Sequence, residues 1–278
     1  ALGIPLKSLE KEWTFSQGEL RDLQILSEDQ VNVIFRESAD SSQSVYVKGK
    51  VPGQVAEAIG STRLEAGRLV LDLRHPGRFF PDFRIGLHWD QPDEVIVTLA
   101  PGYEFDNLKV HIDSGRMDIS GIAAKTADFA SDSGSMKLSG IAGSQIRVSS
   151  DSGNVELHNI DAGSLDVGTD SGRLSGASIK ADTSIELDSG NVTLDGVTGP
   201  VSIRADSGNI RLLKDDPSDA EIRTDSGNVY IRLPASFAGS LDLKTDSGRI
   251  TALDAKNETR DRITVRTDSG NIEIEQED

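Results

Sequence analysis

The sequence predicts an all-β fold, a parallel β-helix or β-solenoid of about 19-residue coils, and three observations carry that prediction. The tripeptide Asp-Ser-Gly occurs nine times, beginning at Asp113, Asp132, Asp151, Asp170, Asp188, Asp206, Asp225, Asp246 and Asp268, in steps of 18 to 22 residues. A fixed period near 20 marks a stacked repeat. The residue two after each Gly is apolar in all nine copies (Met117, Met136, Val155, Leu174, Val192, Ile210, Val229, Ile250, Ile272), and most residues two further on are apolar too. The residue three before each later Asp is apolar as well, from Phe129 and Val148 through Ile222 and Leu243 to Val265.

Taken in order along one repeat, each element has a reason. After the Gly, apolar positions alternate with Asp118, Lys137, Glu156, Thr193, Arg211 or Glu273, the period-two pattern of a strand with one buried face. Ile122, Ile141, Ile160, Ile179 and Val197 then supply a third corner or short strand, which favours a triangular cross-section. The alternation before the Asp makes the last strand. Nothing in 19 residues leaves room for a crossover helix, so neighbouring strands stack directly, about 4.8 Å apart, in a coil expected to be right-handed. The tripeptide itself reads as a turn: an Asp carboxylate can accept from the N–H two residues on, and Gly adopts a backbone that a Cβ would forbid. Asn follows the Gly in five copies (Asn154, Asn191, Asn209, Asn228, Asn271), which suits a tight bend.

Residues 1–107 differ in texture and hold ten of the chain's 13 aromatic residues. Strands are predicted at Leu20–Leu26, Val31–Arg36, Val45–Val51, Arg68–Leu73, Phe83–His88 and Glu94–Ala100, with a short helix around Gln54–Ile59. We read 1–107 as an irregular β-rich N-terminal cap continuous with the solenoid of 108–278, since the first coil of a stack needs its apolar end covered. At the other end, Glu273, Glu275, Glu277 and Asp278 are expected to place charge on an exposed final edge. Gly176 and Ala252, at inward positions, are expected to leave their coils underfilled.

Composition narrows function. The net charge of −17 and pI near 4.6 argue against nucleic acid and against charge-driven docking on an anionic membrane. Cysteine is absent, so disulfides and thiolate metal sites are excluded. No apolar run approaches 18 residues, so no membrane-spanning segment is expected; the chain begins at Ala1, and an anchor or signal is expected upstream.

Four features of the chain are candidate sites. Calcium on the stacked Asp carboxylates is disfavoured, because one Asp and one hydroxyl per coil converge poorly on an ion that wants six to eight oxygens. The stretch His75–Phe83 with His88 and Trp89 bunches four aromatics with Arg78 and Arg84, a composition fit for sugar stacking or a partner, although cap packing explains it as well. Arg204, Arg223, Lys244 and Arg266 fall at one repeat position and should stack into a basic stripe, answered by neighbouring acids or open to an anionic polymer. A polysaccharide-acting β-helix enzyme, a lyase or hydrolase, is disfavoured: Asp215 and Asp216 are adjacent carboxylates, but His75, His88, His111 and His158 are scattered and short loops build no groove. We therefore assign no catalytic, cofactor-binding or metal residues.

The line Glu94-Val-Ile-Val-Thr-Leu-Ala-Pro101-Gly-Tyr, continued by Leu108-Lys-Val-His-Ile-Asp-Ser-Gly115-Arg-Met-Asp-Ile119, resembles the entry into the repeats of the DUF4097 family of bacterial β-strand-repeat proteins. Thr224-Asp-Ser-Gly-Asn-Val-Tyr-Ile231 and Thr267-Asp-Ser-Gly-Asn-Ile-Glu-Ile274 are similar to its recurrent pattern. The resemblance implies a noncatalytic extracellular or membrane-anchored envelope protein, named for a role in adhesion, with a surface protein or glycan as partner. It also implies an alternative, regulation or sensing in a cell-envelope stress system.

Overall fold

The computed structural model describes residues 5–75 and 91–278. It is 66% strand with one helix, and the architecture is a β-solenoid of about nine coils of roughly 19 residues. The chain forms two compact units, Ala1–Ser135 and Met136–Asp278.

In the first unit, strands β1 (Leu6–Thr14), β2 (Asp22–Leu26), β3 (Gln30–Glu37), β4 (Ser44–Pro52), β5 (Arg68–Asp72), β6 (Asp93–Leu99), β7 (Tyr103–Ile112) and β8 (Ser114–Ser131) surround helix α1 (Gly53–Gly60) in sequence. The predicted strands and helix are present except Phe83–His88, which lies outside the described residues. Strand β1 was not predicted: only Leu9 and Trp13 of it are buried, too few to write an alternating pattern. It runs antiparallel to β4, which runs antiparallel to β6. These are the described departures from parallel pairing between strands, and they cover the parallel stack with β1, β4 and Val55 and Ile59 of α1.

The first coil does not sit at the end of its stack. Strand β2 lies between β5 and β7, and β3 between β6 and β8, so chain that comes later in sequence wraps outside it.

The second unit carries the regular coils: β9 (Ser135–Ser150, starting on the last residue of the first unit), β10 (Val155–Thr169), β11 (Leu174–Leu187), β12 (Val192–Thr198), β13 (Val201–Ser207), β14 (Ile210–Lys214), β15 (Ala220–Ser226), β16 (Val229–Leu233), β17 (Ser240–Ser247), β18 (Ile250–Ala252), β19 (Arg262–Ser269) and β20 (Ile272–Gln276). All pair in parallel, and the predicted inward ladder is continuous in space: Met136, Val155, Leu174, Val192, Ile210, Val229, Ile272, Ile250. Its first seven members are at most 2% exposed. Each such burial contributes about 1.5–3 kcal/mol, which is the driving force of the stack.

That order corrects the expectation for the C-terminal end. Strand β19 inserts between β15 and β17, and β20 between β16 and β18. The acidic strand holding Glu273 and Glu275 is therefore interior to the sheet. The described edge is the coil 240–252, where Ile250 is 42% exposed and Leu241 and Leu243 are half-buried. Gly176 also departs from expectation: a Cβ there would lie 2.8 Å from both Ile179 Cδ1 and Leu194 Cδ2, so neighbouring side chains already fill the space.

Two local devices bend the coils. In seven of the nine repeats (Gly115, Gly172, Gly190, Gly208, Gly227, Gly248 and Gly270) the Gly has positive φ, and the coil-to-coil contact is so close that a Cβ on Gly208 would stand 1.8 Å from the Gly190 carbonyl oxygen. The second bend uses a left-handed residue just before the corner apolar side chain, at Gly121, Gly140, Asn159, Ser178 and Gly196. Gly and Asn tolerate that conformation most readily.

Candidate functional site

The turn chemistry differs from the sequence reading at the Asp. The N–H of Gly134 donates to Ser131 Oγ at 2.8 Å, and that of Gly153 to Ser150 Oγ at 3.1 Å. In these coils the acceptor for the Gly N–H is the buried hydroxyl before the Asp, in place of the Asp carboxylate. The Asn after the Gly has a role beyond the bend. Asn154 Oδ1 accepts from Arg173 N–H, Asn191 Oδ1 from Asn209, Asn209 Oδ1 from Asn228, Asn228 Oδ1 from Asn271, and Asn271 Oδ1 from Arg249, at 2.9–3.0 Å. The result is an amide ladder running along the coils, each carbonyl answering a backbone donor that the turn would leave unpaired.

Beside that ladder lies the most developed surface of the second unit. Parallel register sets the outward side chains Thr193, Arg211, Tyr230 and Glu273 in one row. Tyr230 is the one aromatic residue of this unit that reaches the surface, since Phe237 is buried. The Arg211 guanidinium stands 4.4 Å from its ring centroid, and its hydroxyl donates to Glu275 Oε2 at 2.6 Å. That bond pushes the Tyr230 phenol up and holds Glu275 below the usual carboxylate range, while a hydrogen bond to Glu275 pushes Glu273 up. Thr193, Arg211, Tyr230 and Glu273, together with Asn191, Asn209, Asn228 and Asn271, line an open groove of about 390 Å³. Because the Asn carbonyls are engaged in the ladder, it is their amide N–H₂ groups, for which no described residue is an acceptor, that the groove offers as donors.

The predicted basic stripe exists. Arg204 lies beside Arg223, Arg223 beside Arg266, and Arg266 beside Lys244, with Glu186 next to Arg204. Half of it is answered by acids: Arg223 Nε meets Glu221 at 3.0 Å, and Arg266 Nη2 meets Asp242 at 2.7 Å. Hydrogen bonds from Arg266 and then Arg262 hold Asp242 low. Arg204 and Lys244 make no ion pair among the described residues.

The remaining candidates separate. His75 Nε2 sits 2.5 Å from Asp29 Oδ2, His111 Nε2 3.3 Å from Asp128, and His158 Nε2 3.8 Å from Glu156, three unconnected pairs. The rest of the aromatic stretch, from Pro76 through His88 and Trp89, lies outside the described residues. Among the described residues no three His, Asp or Glu side chains converge on a common point as a metal centre requires, and no helix is long and apolar enough to cross a membrane.

Asp216 has a structural partner that sequence reasoning missed. The coil after Gly196 lacks one residue, so Lys214 pairs with Val197 and occupies the inward corner of Ile160 and Ile179. Its side chain is 0% exposed, and its amine donates to Asp216 at 2.9 Å, Ser218 Oγ at 2.7 Å and the Gly199 carbonyl. Burial lowers the Lys214 pKa. Burial also works on Asp216, but hydrogen bonds from Lys214, Ser218 and Gly199 N–H outweigh it and hold that carboxylate low.

The repeat geometry has a counterpart in sequence comparison: the family model Toastrack DUF4097 matches residues 21–275. The chain belongs to the DUF4097 family. Solved structures similar to this DUF4097 chain include a putative adhesin from Parabacteroides distasonis (12% identity, 96% of this chain and 97% of that one, TM-score 0.49). A putative lipid binding protein from the same organism (11% identity, 97% of each chain, TM-score 0.43) and a putative adhesin from Bacteroides fragilis (11% identity, 96% and 97%, TM-score 0.38) are also similar. No curated protein matches it.

Proposed function

We propose that this DUF4097 chain is a noncatalytic protein of the bacterial cell surface that presents the outer face of its second unit to a hydroxyl-rich surface glycan. The observation that supports this reading is the groove over the Asn ladder. Its amide donors repeat at the strand spacing of about 4.8 Å, which suits a polymer with repeating hydroxyls, and the Arg211–Tyr230 pair gives the ring-and-guanidinium platform on which sugar faces stack. The Glu273 carboxylate adds an acceptor to the same groove. The same surface lacks the features of a catalyst: no histidine lies in it, and its titratable groups answer one another rather than a reacting atom.

The test is binding of the purified chain to an array of bacterial and host glycans, followed by calorimetry on the best ligand. Tyr230→Ala and Arg211→Ala are expected to weaken binding tenfold or more, as loss of an interface anchor does, with unchanged circular dichroism. Retention of no glycan, or binding by both variants as tight as that of the unaltered chain, sinks the reading. Antibody labelling of intact cells tests the location: an epitope reachable only after lysis overturns surface display.

A further inference from the structure

The edge strand β17 has a free side. Among the described residues it pairs only with β19, and β18 only with β20, so one row of backbone N–H and C=O groups stands open. Among the described residues no strand or helix pairs along it. The following loop bonds instead to the residues before the strand, Asn257 N–H to the Gly239 carbonyl and Glu258 N–H to that of Ala238. Apolar side chains that are buried in every other coil emerge here: Leu241 and Leu243 are half-buried and Ile250 is 42% exposed.

We propose that this edge is the interface of a symmetric dimer, formed by antiparallel pairing of β17 with β17 of a second copy, centred on Leu243. Opposed residues of an antiparallel pair share a face, so a strand pairs with its own copy about a residue, not between two. Centring on Leu243 sets Leu243 against Leu243, Asp242 against Lys244 of the second copy, and Lys244 against its Asp242. Centring on Asp242 or Lys244 would oppose like charges. Centring on Thr245 would set Leu243 against Ser247 and carry the pairing past Gly248. The charges are also available. Among the described residues Lys244 makes no ion pair, and both arginines that reach the Asp242 carboxylate end on Oδ2, which leaves Oδ1 for a donor from across the interface. An edge lysine alone deters pairing; here its own strand carries the answering acid two residues away. Because the twofold consumes the same edge on both copies, the assembly closes at two.

Sedimentation or light scattering of the full chain over a range of concentrations tests this. The expected result is a dimer mass that Lys244→Asp weakens by about tenfold, or 1.4 kcal/mol, since it converts two attractive pairs into two repulsive ones, and that Leu243→Arg abolishes. Because the chain has no cysteine, Leu243→Cys places the sole thiol on the twofold, and mild oxidation should give a covalent dimer with an unchanged circular dichroism spectrum. A monomer mass at every concentration, a dimer indifferent to Lys244→Asp and Leu243→Arg, or growth beyond two copies would each overturn the proposal.

Discussion

Glycine in the repeat is fixed by its neighbours in the next coil as much as by its own backbone. Gly208 has φ of 126°, and a Cβ on it would stand 1.8 Å from a backbone oxygen that cannot yield. Gly208→Ala should therefore cost about 3 kcal/mol or more, a strained-backbone effect. Gly168 sits within strand β10, where nothing lies within 4 Å of its Cβ position, so Gly168→Ala should be neutral or stabilising by about 0.5 kcal/mol. Urea midpoints of the two variants check the contrast, and equal midpoints would refute it. The Asp beside these glycines gives a pH test. Asp132 is pushed up by its hydrogen bond to Asp113, by burial and by the Asp113 charge. A raised carboxylate pKa means that the folded state keeps the proton longer than the unfolded chain. Its favourable contribution is thus present below the unfolded value of 3.8 and is lost as pH rises through the raised one. Asp113→Asn removes the like charge while leaving a donor. It should raise stability at pH 7 by about 0.5 kcal/mol, the scale of an exposed pair, and change little at pH 3; a gain confined to pH 3 would refute the assignment.

One strand position shows where sequence reading stops. Alternation placed the inward residues of every regular coil correctly, because burial on one face writes period two into the chain. Lys214 escaped it: a one-residue deletion opposite Gly196 moved a charged residue into an apolar column, and only the paired register shows the shift. The Asn ladder was half legible, since Asn recurs after Gly, but its carbonyls act on the next coil and not on their own turn. The left-handed corner was written as Gly121, Gly140 and Gly196, with Asn159 and Ser178 blurring the column. Tyr230 stood out only as an aromatic in a unit nearly free of them. For Lys214 the energetics are asymmetric. Removing its carboxylate by Asp216→Ala leaves a buried ammonium held by Ser218 and Gly199 alone and should cost about 3 kcal/mol, whereas Lys214→Met, apolar in an apolar column, should be near neutral or stabilising. Equal losses in the two variants would show that the ion pair is not what holds this corner. Acid should act in the same place. With Asp216 held low, its contribution is present above the unfolded value of 3.8 and is lost as pH falls through the folded one, and Asp216→Ala should remove that part of the acid sensitivity.

At the scale of the second unit, the order of coils in space is not the order in sequence, and that has a measurable consequence. A stack built in sequence order would end on β19 and β20, leaving them the most open to solvent. Here those strands are paired on both sides, while β17 and β18, earlier in the chain, are paired on one. The reason lies in side chains as well as topology. Ile263, Val265, Ile272 and Ile274 of the inserted coil are at most 2% exposed, whereas the corresponding Leu241, Leu243, Ile250 and Ala252 are half-buried or exposed. Local opening free energy follows buried apolar contact and shielded hydrogen bonds. Amide exchange followed by mass spectrometry should therefore be slower in peptides covering 262–276 than in those covering 240–252, although the former lie nearer the C-terminus. The comparison belongs in the Leu243→Arg background, where edge pairing between copies cannot protect β17. Faster exchange in 262–276 would mean that the last coil docks from outside, and the inserted register would be wrong.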